Sequence, residues 1–503
     1  MPDGVGQLCV GIVALPLAAA VAAFVAGRRA GPVIGVGAAL VMTVLTHLAG
    51  AALFRYGALR YVIGGWPAPL GISWKLDGLS ALMLMTTAIV GTGISVYAVG
   101  YFAPHGEASP ETQGAVKQRY FWPLWLFAWG GLNVLFLSAD AFNVYVALEI
   151  VSFAAITLVA LSGTVDALIA ATRYFFLTLA GSLVYLLGVG MAYSAYGVLD
   201  LELLAQAAQP GIVSAVAVSL MTMGLIIKSA LFPMHFWLPP AHANAPAPVS
   251  AVLSGLVVMG SFYLLVRLWL ETFSGVIPPL AGHLPGLLGG VAIIGGSLVA
   301  LRQERLKMLL AYSTVSQIGY MFLIFPLYGV GAASKGFAWN GGIYLAVAHA
   351  CAKAAAFMAA GAVIYALGHD RVTELKGLAR NYPLTAFTLA LAGVSLIGLP
   401  PSGGFTGKWM LLKAAMISGQ WPYAVLIVAG SLLAAIYIFR VLEIFMQPPA
   451  DGVEPRHVPA WMSVTALAMA LAAIILGLGA DLPSQLLKID APFILTDVRE
   501  YLL

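Results

Sequence analysis

The chain has 503 residues, 61% of them hydrophobic and only 9% charged, with a formal net charge of +4. Soluble domains carry about 25% charged residues, so a soluble globule is excluded and an all-α protein that crosses a membrane many times is expected. The small positive balance is scattered over short loops and offers no footprint for nucleic acid. Cys9 and Cys351, far apart in apolar runs, form neither a disulfide framework nor metal-ligand spacing.

A crossing helix needs about 20 mainly apolar residues. Runs between polar breaks number fourteen, centred near residues 15, 44, 89, 130, 152, 182, 222, 258, 293, 318, 352, 394, 432 and 471. The first lacks the basic start of a signal peptide and reads as a retained membrane helix. An even count puts both termini on one side. With the N-terminus outside, thirteen basic residues, from Arg28 and Arg29 to Arg440 and Arg456, fall at inner loops and helix ends. Six or seven, including Arg55, Arg60, Lys75, Arg499 and Arg267 near a helix end, fall outside. The positive-inside rule then places both termini on the outer face. The polar stretches 102–119, 367–383 and 445–459 are loops, and neither a phosphate-binding GxxxxGK[ST] nor a strand-led GxGxxG is present. The work is done inside the bilayer, and no catalytic site, cofactor or metal is expected.

Ionisable residues inside a span are costly, about 2.5–3.5 kcal/mol for a central Lys or Asp. In chain order the first is Glu149, mid-span in "AFNVYVALEIVSF"; it is either a neutral carboxyl bonded to a neighbouring helix or a working group. Lys228, in "GLIIKSALFPMHFWLPP", either reaches for the headgroups or sits in a membrane that continues past Pro233 to Trp237. Lys353 lies 18 residues after Lys335 and 17 before Asp370, too central to reach either surface. His349, one turn earlier on the same face, is a packing histidine or a titrating partner. Lys408 follows Pro400, Pro401 and three glycines in "GLPPSGGFTGK".

Both "KSALFPMHFWLPP" and "GLPPSGGFTGK" interrupt long apolar helices. Backbone groups freed by such a break are tolerated at membrane depth only where protein or a wet cavity satisfies them. The breaks fall in the seventh and twelfth spans, each the fourth of five (spans 4–8 and 9–13). Five is odd, so successive five-helix units point in opposite directions, the geometry of an inverted repeat with ion sites at its breaks. The expected organisation is N-terminal helices over 1–120, repeats over 121–272 and 286–446, and a last helix with a short tail over 460–503. Desolvation disfavours the charged form of a lysine and a nearby carboxylate favours it. A row of buried lysines joined by water, histidine and broken backbone is therefore a proton path. A Na⁺ site would want more oxygen ligands than these spans supply, and no helix carries the paired histidines of a haem site.

These segments resemble the proton-pumping, antiporter-like membrane subunits shared by respiratory complex I, group 4 membrane-bound hydrogenases and Mrp cation/proton antiporters. The resemblance is carried by "LDGLSALMLM" (76–85), "AFNVYVALEI" (141–150), "IIKSALFPMHFWLPPAHANAPAPVSAVLSG" (226–255), "RLKMLLAYSTVSQIGY" (305–320), "AHACAKAAAFMAAGAVIY" (348–365), "ELKGLARNYP" (374–383) and "GLPPSGGFTGK" (398–408). It implies fourteen helices in two inverted five-helix units with broken helices 7 and 12. It also implies roles: Glu149 pairs with Lys228, Lys353 and His349 form a central site, and Lys408 is the terminal proton site. His235 and His242 flank the first break, and Lys307 and Gln317 support the relay. One departure stands out: where the family carries a lysine in the eighth helix, "SGLVVMGSFYLLVR" has Met259. The resemblance leans towards the D-type member of an Mrp antiporter in a bacterial cytoplasmic membrane, with other membrane subunits as partners and protons with Na⁺ or K⁺ as cargo. A pump subunit of a complex I-like or hydrogenase assembly and an autonomous carrier are the alternatives.

Overall fold

The computed structural model describes residues 3–103, 113–329, 331–448 and 456–493; Arg499 and parts of the loops 102–119 and 445–459 lie outside them. The first helix, α1 (Asp3–Tyr56), is interrupted at Gly27, whose φ of 77° and ψ of −168° are not helical. Glycine reaches this positive φ without a steric penalty. A β-carbon on Gly11 would stand 3.5 Å from Leu45, so the arms lie side by side as the spans expected near 15 and 44. Next comes an element that the all-helical reading did not contain, a hairpin of β1 (Leu59–Val62) and β2 (Ser73–Leu76), paired antiparallel with Leu59 opposite Leu76. Both strands are short, rich in aromatic and aliphatic residues, and separated by a Pro- and Gly-containing turn, which suits a hairpin.

Helix α2 (Gly78–Tyr101) starts at a capping box, with the Ser80 amide donating to Asp77 and the Asp77 amide to Ser80. There follow α3 (Gln113–Leu137), α4 (Ala141–Ala160), α5 (Val165–Tyr196) and the short α6 (Leu201–Ala207). Helix α7 (Ile212–Lys228) stops at Lys228; irregular backbone containing Pro233 and His235 leads to α8 (Leu238–Asn244). The next crossing, Ala247–Thr272, is buried along nearly its whole length, with only Trp269 and Glu271 partly exposed. It consists of α9 (Ala247–Val252), a π-turn (Leu253–Val257), α10 (Val258–Arg267) and a second π-turn (Leu268–Thr272).

The rest of the chain is α11 (His283–Leu301), α12 (Leu306–Met321), α13 (Ile324–Tyr328), α14 (Ala332–Leu367), α15 (Leu378–Asn381), α16 (Pro383–Ile397), α17 (Gly403–Ile417), α18 (Trp421–Met446), α19 (Ala460–Leu478) and α20 (Asp481–Leu487). The second break, at Pro400 and Pro401, separates α16 from α17. Among the described residues, eleven helices are long and apolar enough to cross a membrane, with α1 counted once; α7 and α16 are shorter apolar helices that run into the breaks.

Helix α14 is the hub, packed against α9, α12, α16, α17 and α19. It crosses α17 with backbones in contact: a β-carbon on Gly341 would meet the Leu411 amide at 2.9 Å, and one on Gly407 would meet Leu345 at 2.8 Å. Small residues permit that approach, and Lys408, next to Gly407 on α17, is buried. At one end of the bundle, charges knit the hairpin to distant segments: Arg267 bonds Asp77 and Glu271, Lys75 bonds Asp77 and Asp490, and Arg60 bonds Asp200 and Glu202. At the other end Arg305 pairs with Asp370 at 3.0 Å.

Candidate functional site

The helix breaks place the sequence-predicted residues in two clusters. In the first, Lys228, the last residue of α7, points at α4. Its Nζ donates to Glu149 Oε1 at 3.2 Å and to Ser152 Oγ at 2.7 Å. Glu149 and Ser152 stand three residues apart, on one face of α4. The Ser182 hydroxyl on α5 also donates to Glu149 Oε1, so the carboxylate gathers two donors from two helices. Lys228 is 3% exposed and Glu149 16%; the carboxylate end of the pair is nearer the bundle surface. A void of about 10 Å³ adjoins Lys228, lined also by Ser152, Thr178, Tyr174 and Ser261, about what a single water molecule needs. Met259 on α10 is 1% exposed.

The second cluster begins at the Arg305 end. A cavity of about 420 Å³ there is lined by Lys117, Arg305, Lys307, Tyr365, His369 and Asp370 among others. At its floor Lys307, 2% exposed, donates from Nζ to the Ala243 and Ala245 carbonyls. These are carbonyls that the end of α8 leaves free, as expected where a helix stops inside the protein. Asp370 accepts the Lys307 amide at 3.1 Å and the Arg305 guanidinium at 3.0 Å, which fixes the start of α12.

Beyond Lys307, His242 and His349 are both buried and neither makes a hydrogen bond through a ring nitrogen. The His242 ring stacks on Phe357, centroids 4.8 Å apart, and lies within electrostatic reach of Lys307, His349 and Lys353. Lys353 is fully buried and donates to the Leu310 carbonyl at 2.8 Å and to Ser313 Oγ. Lys408 donates to the Leu396 and Ile397 carbonyls at 2.9 and 3.1 Å, which the second break exposes, and lies 4.0 Å from the Tyr320 ring centroid. Gln317 Nε2 donates to the same Leu396 carbonyl at 2.9 Å. His235 stands apart: its ring stacks on Phe232 at 5.4 Å, and its Nδ1 has no partner.

An ammonium has three donors and no acceptor, so each buried lysine needs oxygens around it. The structure supplies them from serine hydroxyls and from carbonyls freed where helices break or end. For Lys307, Lys353 and Lys408 the hydrogen-bonded oxygens are neutral, with the Asp370 carboxylate within electrostatic reach of Lys307; Lys228 alone of the four bonds a carboxylate directly. Among the described residues no hydrogen bond joins the Glu149–Lys228 pair to the second cluster.

Sequence reasoning missed Ser152, Ser182, Ser313 and Asp370, which hold the charged groups in place. The i, i+3 spacing of Glu149 and Ser152 was a usable signal. The Ser182 and Asp370 contacts carry no local signature.

A family profile described as NADH:quinone oxidoreductase/Mrp antiporter, TM, matches residues 138–434. A second, described as NADH-ubiquinone oxidoreductase (complex I), chain 5 N-terminus, matches residues 67–110. The chain is 35% identical over 445 residues to the N subunit of NADH-quinone oxidoreductase from Desulforudis audaxviator, covering 85% of this chain and 86% of that protein. It is 29% identical over 398 residues to the D subunit of the Na(+)/H(+) antiporter from Alkalihalophilus pseudofirmus, covering 78% and 76%. Among solved structures, a chain of the Mrp complex from Dietzia sp. DQ12-45-1b superposes with a TM-score of 0.87 at 25% identity, over 98% of both chains. The fold is also that of a chain in respiratory complex I from Thermus thermophilus, TM-score 0.80 over 96% of this chain and 99% of that one. The span matched by the profile and the extent of these similarities establish that the chain belongs to the NADH:quinone oxidoreductase/Mrp antiporter family of membrane subunits.

Proposed function

We propose that the chain is the proton-translocating member of a multisubunit assembly, acting as the D-type component of an Mrp monovalent cation/proton antiporter. The observation that carries this reading is the set of four buried ammonium side chains, Lys228, Lys307, Lys353 and Lys408, strung through the bundle beside hydroxyls and freed carbonyls. Holding four such charges in a membrane protein is costly, and a structural scaffold would do without them. The cavity at the Arg305 end is the mouth on the inner side, and Lys307 is the first station. His242 and His349 pass the proton on to Lys353 and Lys408, and Gln317 supports the path. The Glu149–Lys228 pair is the second element. A carboxylate offsets the desolvation of a buried ammonium, so moving Glu149 changes the hold of Lys228 on its proton. Met259 cannot carry a proton, so a hydroxyl-lined void of the kind beside Lys228 serves instead of an eighth-helix lysine.

The architecture that supports this use has fourteen crossings, obtained by taking α1 as two helices and the interrupted α7–α8 and α16–α17 as one each. They are arranged as residues 1–120, inverted repeats 121–272 and 286–446, and a final helix with its tail from 460. The site of action is the cytoplasmic membrane of a bacterium, with both termini on the outer side, and the partners are other membrane subunits. A second reading, the pump subunit of a complex I-like oxidoreductase, is favoured by the 35% identity to an oxidoreductase N subunit. The proteins that co-purify in mild detergent separate the two: small membrane subunits alone support the antiporter, and iron–sulfur subunits the oxidoreductase. Proton flux in liposomes carrying the purified assembly tests the core claim. Lys353→Ala and Lys408→Ala are expected to abolish flux while the assembly persists; wild-type flux in either overturns the reading.

A further inference from the structure

Four charges at the Arg305 end of the bundle have no part in the proton path. A hollow of about 600 Å³ opens there between the start of α5, the end of α8 and the turn from α11 to α12. That is within the range of small-molecule sites, about 300–1,000 Å³. Asp166, Ile169 and Arg173 line it from α5, and Arg302, Glu304 and Arg305 from the turn. Arg305 is committed, to Asp370 at 3.0 Å and to the Ala243 carbonyl at 3.2 Å. The side chains of Asp166, Arg173, Arg302 and Glu304 are exposed, and among the described residues they form no ion pair and no hydrogen bond. Two guanidinium groups and two carboxylates thus line one space without pairing, which leaves both signs to a ligand.

The charges follow the same order on both elements. Asp166 lies in the first turn of α5 and Arg173 seven residues further in, about 10 Å along the axis and on nearly the same face. Beyond Arg173 that face is apolar and exposed through Phe176, Leu183 and Leu187. On α11 the exposed Leu298 comes first, then Arg302 at the C-cap, then Glu304 in the turn. From the bilayer outward, each element presents apolar side chains, then a guanidinium, then a carboxylate.

A phospholipid presents its acyl chains, its phosphodiester and its terminal group in that order. Basic pockets between membrane helices bind lipid headgroups, and the guanidinium fork matches phosphate oxygens. An anionic lipid would turn its net negative charge towards Asp166 and Glu304. A primary ammonium beyond the phosphate meets them instead, with three donors; a quaternary ammonium has none. We propose that this hollow binds the headgroup of a phosphatidylethanolamine lipid, the phosphodiester on Arg173 and Arg302 and the ammonium on Asp166 and Glu304. The acyl chains lie along Phe176, Leu183 and Leu187.

The test uses the intact assembly, reconstituted in vesicles of equal parts phosphatidylethanolamine, phosphatidylglycerol and phosphatidylcholine. After extraction in mild detergent, native mass spectrometry identifies the lipids retained, and co-purification of the partner subunits reports assembly. The wild type is expected to retain phosphatidylethanolamine in preference to the other two. Arg173→Gln and Arg302→Gln are each expected to lower that retention about fivefold, the scale of one basic residue at a lipid surface. Asp166→Asn/Glu304→Gln is expected to keep a lipid but to hold phosphatidylglycerol as well as phosphatidylethanolamine, and it decides the matter should the arginine variants fail to assemble. Equal retention of the three lipids by the wild type overturns the proposal, as does retention that the arginine substitutions leave unchanged. Inorganic phosphate added to the delipidated assembly is expected to give no thermal protection. Protection equal to that from phosphatidylethanolamine would make the hollow a site for a soluble anion and overturn the assignment to a lipid.

Discussion

Removing either member of the Glu149–Lys228 pair changes what the other must do, and a double-mutant cycle measures by how much. At 3.2 Å two unit charges attract by about 5 kcal/mol at an effective dielectric of about 20. The net coupling is smaller, because Glu149 is 16% exposed and each group keeps a second partner, Ser182 for Glu149 and Ser152 for Lys228. Hydrogen bonds to charged groups contribute about 1.5–3 kcal/mol, and that is the expected coupling energy. Glu149→Gln, Lys228→Met and the double variant are compared by initial rates of proton flux in liposomes bearing the whole assembly. A coupling of that size makes the double variant about 10- to 150-fold more active than the product of the single losses predicts. If the two effects add to within about 0.5 kcal/mol, the side chains do not work as a pair, and the role given to the carboxylate is refuted.

Met259→Leu conserves volume at a buried site and removes no proton carrier; flux within about twofold of wild type and a stability loss under about 1.5 kcal/mol are expected. A large fall in flux would show that the thioether itself matters to the path. The charge network at the hairpin predicts a pH window. Burial alone would push the Asp77 carboxyl up, but the Arg267 guanidinium and Lys75 hold it down at about 2. Lys75 is desolvated, yet Asp77, Glu271 and Asp490 raise it above the ordinary ammonium range. A depressed carboxyl contributes stability above its unfolded value of about 3.9 and loses it as pH falls towards the folded value; a raised ammonium contributes below about 10.4 and loses it as pH rises further. Amide protection of Gly78, which bonds the Ile489 carbonyl at 3.1 Å, is therefore expected to hold from about pH 4 to 10 and to fall outside that window. Loss near pH 6 would contradict the assignment.

The order of residues alone marks the apolar runs, the two breaks and the ionisable groups within those runs, because each is a local property. Twenty apolar residues, a proline in a helix and a lysine far from any polar flank can all be read without knowing a neighbour. Glu149, Lys228, Lys353 and Lys408 stood out for that reason, and all four lie in the bundle with the surroundings a buried charge requires. Partnerships come from packing and from nothing nearer. Arg267 reads in sequence as a cation at a helix end, yet it is buried against Asp77, 190 residues away. Gln317 reads as one polar residue in an apolar helix, and only the packing of α12 beside the second break sets its amide on the Leu396 carbonyl, 79 residues away. The physical reason is common to both: the low-dielectric interior makes each polar group's energy depend on which group faces it. That choice is made by helices that meet across long stretches of chain.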